Sequence, residues 1–115
     1  MKESIVKDKS YAFALRIVKL SQIIVAEHKE FVLSKQLLRN GRTIGALIRR
    51  AEHSQSKADF VSKMNIALKK ANETDYWLSL LKDRGYITSE WYDSISKDAR
   101  ELVKLLASFQ FSIFN

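Results

Sequence analysis

The chain contains no proline and no cysteine, and only three glycines, Gly41, Gly45 and Gly85. Without proline no helix interior loses a backbone donor, and with so little glycine the punctuation of tight sheet turns is nearly missing, so long helices are predicted rather than strands. The absence of cysteine excludes disulfides, thiolate zinc sites and cysteine nucleophiles, and it agrees with a reducing, cytoplasmic compartment. No apolar run approaches the about 18 residues of a spanning helix, and the first ten residues mix Lys2, Lys7 and Lys9 with Glu3 and Asp8, so neither a membrane span nor an export signal is expected. A length of 115 residues suits one domain over 1–115, enough for one helical core but not two.

What the chain does have is positive charge, and it is concentrated. The formal net charge is +7. From Lys35 to Lys70 nine basic residues face only Glu52 and Asp59, while the remainder carries eleven charges of each sign. Clustering, more than the total, sets the potential at a surface.

Apolar periodicity predicts four helices. The first runs from about Ser4 to Glu27, with Phe13, Ile17, Leu20 and Ile24 on one face and a second apolar set, Tyr11, Leu15, Val18 and Val25, on another side. A helix apolar on two sides is either central in its bundle or in contact with a second molecule. After a link at His28 to Glu30, Ser34 is the predicted cap of a second helix reaching about His53, whose core side is Leu37, Ile44, Ile48 and Ala51. Lys35, Arg39, Arg42, Arg49, Arg50 and His53 fall within an arc of roughly 100° opposite that side. Ser56 with Asp59 three residues on predicts the start of a third helix, which carries Phe60, Met64, Ala67, Leu68, Ala71 and Leu78 and stops at Gly85. Thr88 begins a fourth, with Trp91, Ile95, Leu102, Leu106, Phe109 and Ile113 as its stripe. Links of a few residues make an antiparallel up-and-down four-helix bundle the expected fold.

The basic face suits nucleic-acid backbone: Lys35, Arg39, Arg42, Arg49 and Arg50 are the candidate contacts, with Lys57 and Lys63 secondary. Arginine at four of those five main positions favours bidentate pairing with phosphate, or equally with the carboxylates of an acidic protein. A solvated face is the plain alternative. Tyr11, Leu15, Val18, Ile66 and Trp77 exceed what one small bundle needs to hide and are the candidate interface of a homo-oligomer. The Gly41 and Gly45 spacing permits close helix approach, but no phosphate-cradling loop surrounds it. His28 and His53 lack further ligands at usable spacing, so no metal is expected. Glu73 and Asp75 diverge on a helix with no accompanying nucleophile, and pairing with an arginine such as Arg39 is the expected structural role. No cofactor, small-molecule substrate or catalytic constellation is indicated, and the protein is expected not to be an enzyme.

Three runs, Leu33-Ser34-Lys35-Gln36-Leu37-Leu38-Arg39, Ala51-Glu52-His53-Ser54-Gln55-Ser56-Lys57-Ala58-Asp59-Phe60 and Ile66-Ala67-Leu68-Lys69-Lys70-Ala71-Asn72-Glu73-Thr74-Asp75-Tyr76-Trp77-Leu78, closely resemble the 23S rRNA intervening-sequence protein family. Tyr11-Ala12-Phe13-Ala14-Leu15-Arg16-Ile17 extends the resemblance to the first helix. It implies an up-and-down four-helix bundle of bacterial origin that assembles as a ring-like homopentamer, of unsettled biochemical role. A similar bundle is the accessory protein of diversity-generating retroelements, where a basic pentameric barrel associates with nucleic acid. Arg39 and Glu73 match the family pattern, whereas Leu47 and Arg50 stand where the family usually has an asparagine and a glutamate. The function expected is therefore a homo-oligomeric bundle holding RNA or DNA by its backbone, with a scaffold for an acidic protein as the alternative.

Overall fold

The computed structural model describes the backbone of residues 2–114 and the side chains of residues 4–109; Ile113 lies outside the described side chains. Four helices, α1 (Lys2–His28), α2 (Val32–Ala51), α3 (Lys57–Asp83) and α4 (Ser89–Phe114), form a rod of 45 × 21 × 19 Å. Each helix packs on its chain neighbours, and α1 closes the ring against α4, while among the described residues no Cα atoms of the diagonal pairs come within 8 Å. Neighbours run in opposite directions: Lys7 early in α1 meets Glu52 just past α2, Arg16 meets Asp98 of α4, and Ser79 of α3 meets Tyr92 of α4. No described helix is long and apolar enough to cross a membrane.

The core follows the predicted stripes. Phe13, Ile17, Leu20 and Ile24 of α1, Leu37 and Ile44 of α2, Leu78 and Leu81 of α3, and Ile95, Leu102 and Leu106 of α4 are fully buried. Burial of each such side chain contributes about 1.5–3 kcal/mol. Phe60, Leu68 and Trp91 are only partly covered, at the margin of this core. Leu47, at the position where an asparagine was expected from the resemblance, is buried and apolar.

The helix ends show local chemistry. Ser56 accepts the Asp59 amide at 3.1 Å and caps α3. Past the α3 end, Gly85 takes φ 78°, the Gly85 amide reaches Lys82 O and the Tyr86 amide reaches Leu81 O, which together make a Schellman turn. Thr88 Oγ1 accepts the Trp91 amide at the head of α4.

The predicted start of α2 requires correction. The helix begins at Val32, and Ser34 sits inside its first turn, buried, with its hydroxyl donating to Glu30 O. The cap is Glu30, whose carboxylate accepts the amides of Val32, Leu33 and Ser34 at 3.2, 3.1 and 3.0 Å. A long side chain outside the helix thereby satisfies three orphan donors at once, and its charge favours the positive end of the helix dipole. The α2 helix also ends two residues early, at Ala51 rather than His53.

Candidate nucleic-acid interface

All the basic candidates on α2 are exposed: Lys35, Arg39, Arg42, Arg49 and Arg50. They form two rows. Lys35, Arg42 and Arg49 repeat at seven residues and share one side, whereas Arg39 and Arg50, eleven apart, lie on a line turned toward α3. The first row borders α1, because the Arg49 guanidinium lies 5.7 Å from the centroid of the Tyr11 ring and Lys35 lines a groove with Val18. None of the five makes an ion pair among the described residues, so no described carboxylate neutralises their charge. Lys57 is exposed at the head of α3. Lys63 is tied to Asp59 at 2.6 Å, one turn back on the same helix. Donation from Lys63 is the main reason the Asp59 carboxyl is held below its ordinary range. That pairing removes Lys63 from the freely available cations.

The opposite side of the bundle contrasts with this. Along the α1–α4 seam, Arg16 meets Asp98 at 2.6 Å, donates to the Ser94 hydroxyl and lies over Trp91, and Lys9 meets Glu101. Between α3 and α4 the buried Ser96 hydroxyl donates to Asp75 and accepts from Arg100, and the Tyr92 and Ser79 hydroxyls lie 3.1 Å apart. The Ser79 contact is the main cause of a lowered Tyr92 phenol pKa. Lys9, Arg16 and Arg100 are thus tied into the α4 seams, whereas the α2 cations meet no carboxylate among the described residues.

The apolar candidates fall on two strips. Tyr11, Leu15 and Val18 run along α1 next to the first basic row, with Tyr11 and Leu15 55% and 54% exposed. Ile66 is exposed and Trp77 half-buried on α3. Ile66 stands nine residues before Asp75, half a helical turn round from the α4 seam, and so faces the α2 side. The two strips are separated by the α2 ridge. Ala58, Val61 and Ile66 also line an open depression on α3 between Lys57 and Lys69.

Two expected roles are placed differently. Glu73 pairs with Lys70 at 3.5 Å, not with Arg39, and Asp75 serves Ser96 across the α3–α4 seam. The two glycines divide the work expected of both. A Cβ on Gly41 would come within 2.9 Å of Ile17, whereas one on Gly45 would meet nothing within 4 Å. His28 stacks edge-on against Tyr86, and His53 is exposed past the other end of α2. Sequence reasoning missed exposed Phe31 beside Lys35 in the α1–α2 groove; standing at the N-cap of α2, it belongs to no apolar period along a helix.

Comparison with known proteins places this arrangement in context. The model of the 23S rRNA-intervening sequence protein family matches residues 2–108. A crystal structure of a protein of unknown function from the S23 ribosomal protein family of Bacteroides thetaiotaomicron VPI-5482 superposes with a TM-score of 0.94, at 57% identity over 100% of both chains. No curated protein matches the chain significantly.

Proposed function

The chain belongs to the 23S rRNA-intervening sequence protein family, and from its own surface we propose a non-enzymatic, homo-oligomeric, cytoplasmic bundle that holds RNA or DNA by its phosphate backbone. The observation that carries the reading is the set of five exposed α2 cations without a carboxylate partner among the described residues. Arg39, Arg42, Arg49 and Arg50 offer forked donors to phosphate oxygens, and Lys35 and Lys57 extend the row. Contacts of this kind fix the position of a strand without reading its bases. Five copies per ring, as the resemblance implies, multiply a weak single-subunit site by effective concentration. The α3 strip around Ile66 and Trp77 lies outside the α1–α2 groove that Lys35 borders, and so is the first place to look for subunit contact.

Affinity for ribosomal RNA measured against salt tests the reading. Binding should weaken with a slope of about 0.7–0.9 in log K per phosphate contact, the lower value for single strands, and Arg39→Glu with Arg42→Glu should abolish it. No binding at low salt, or binding indifferent to salt, sinks the proposal. The same unpaired arginines fit the carboxylates of an acidic protein, the second reading. A partner that survives nuclease during purification and is lost with the double charge reversal favours that reading. Light scattering measures the assembly; a monomer overturns the oligomeric part.

A further inference from the structure

We propose that the nucleic acid held by this chain is single-stranded, with its bases seated in the groove between α1 and α2. The inference rests on the backbone-binding reading and names its substrate class.

The groove, about 530 Å³, is lined by Val18, Val25, Ala26, Phe31 and Leu38 with Lys35 at its edge. Phe31 is 59% exposed at one end. Toward the other, Leu15 and Tyr11 continue the apolar strip, and Tyr11 lies under Arg49. From Phe31, at the N-cap of α2, to Arg49 is eighteen residue steps, about 27 Å. Gly45, one heptad past Leu38, leaves bare helix backbone on the same line, with open space where a Cβ would stand. An aromatic therefore stands at each end of an apolar floor, and Lys35, Arg42 and Arg49 run beside it.

A duplex presents phosphates and groove edges and keeps its base faces stacked inside, so it leaves this apolar floor facing water. A single strand offers both parts: phosphates for the cations and flat apolar faces for Phe31, Tyr11 and the floor. Charge selects against the other apolar surface of a second copy. The exposed depression on α3 is flanked by Lys57 and Lys69, and seating it here would set lysine against Lys35, Arg42 and Arg49.

Fluorescence anisotropy with the full chain at low salt provides the test, using RNA and DNA single strands of about twelve nucleotides and the blunt duplex of the same sequence. Single strands should bind at least about five-fold more tightly than duplex. Phe31→Ala and Tyr11→Ala should each weaken single-strand binding about five-fold or more, Phe31→Trp should preserve it, and Phe31→Ala should leave duplex affinity unchanged. Both aromatics are exposed, and circular dichroism checks that the variants keep their helices. Arg42→Glu with Arg49→Glu should weaken every probe. Duplex binding as tight as single strands, with Phe31→Ala silent while the charge reversal abolishes binding, overturns the single-strand inference and leaves the backbone reading standing. If no probe binds, both fall. If Phe31→Ala or Tyr11→Ala instead lowers the mass seen by light scattering without changing strand affinity, the groove is a contact between copies and the inference is overturned.

Discussion

At the residue scale, two glycines four positions apart show how one sequence spacing conceals two different jobs. Gly41 lets α2 approach Ile17, whose branched side chain leaves no room for a methyl group. Gly41→Ala should therefore destabilise the protein by about 1–3 kcal/mol through overpacking, despite the better helix propensity of alanine. Gly45→Ala meets open space and should stabilise by about 0.5–1 kcal/mol. Urea unfolding of the pair checks both signs, and a shared sign would contradict the packing argument. The glycines were legible as helix-approach residues; which one does the approaching depends on the neighbour across the seam. Tyr92 makes a similar point. Its phenol pKa is lowered chiefly by the Ser79 hydroxyl, thirteen residues away on another helix. Tyr92→Phe should remove the part of the phenolate absorbance titration that lies below the ordinary tyrosine range.

At the scale of elements, the helix starts divide by the reach of the capping group. Ser56 and Thr88 cap from the N-cap position itself, so the local sequence announces them. Glu30 caps α2 from one residue further out, in a link that also holds Lys29 at φ 55°, and the serine that suggested a cap lies in the helix instead. Glu30→Ala should cost about 0.5–2 kcal/mol, the range for losing a cap, whereas Ser56→Ala should cost a similar amount at α3. Thermal unfolding of the two variants compares them. The head of α3 also carries a pH signature. Donation from Lys63 lowers the Asp59 pKa, so the stabilising contribution of the ionised carboxylate is present above its unfolded value near 3.9 and is lost as pH falls through the lower folded value. Asp59→Asn should flatten stability against pH in that acid window. Chemical-shift titration of the Asp59 carboxyl in the wild type should give a midpoint below the usual aspartate range.

At the scale of the whole molecule, charge is sorted by side. The α4 seams hold two ion pairs and the Ser96 bridge, and five exposed cations without a described carboxylate partner stand on α2. Exposed pairs such as Lys9 with Glu101 are worth at most about 1 kcal/mol, so Lys9→Ala should barely move the unfolding midpoint. The value of the sorting is a field directed outward from one side, which neutral pairing elsewhere leaves uncancelled. By itself the sequence determined the four helices, their core stripes, two of the three interior helix starts and the basic arc of α2. Each of these follows from a period along one helix or from groups within a few residues. The tertiary structure alone decided that the first row borders the exposed apolar strip of α1, with Arg49 against Tyr11, and that no described carboxylate of a neighbouring helix reaches the α2 arginines. These depend on how each helix is rotated against its neighbours. That rotation is set by the packing of side chains such as Ile17 against Gly41, and no period along a single helix records it.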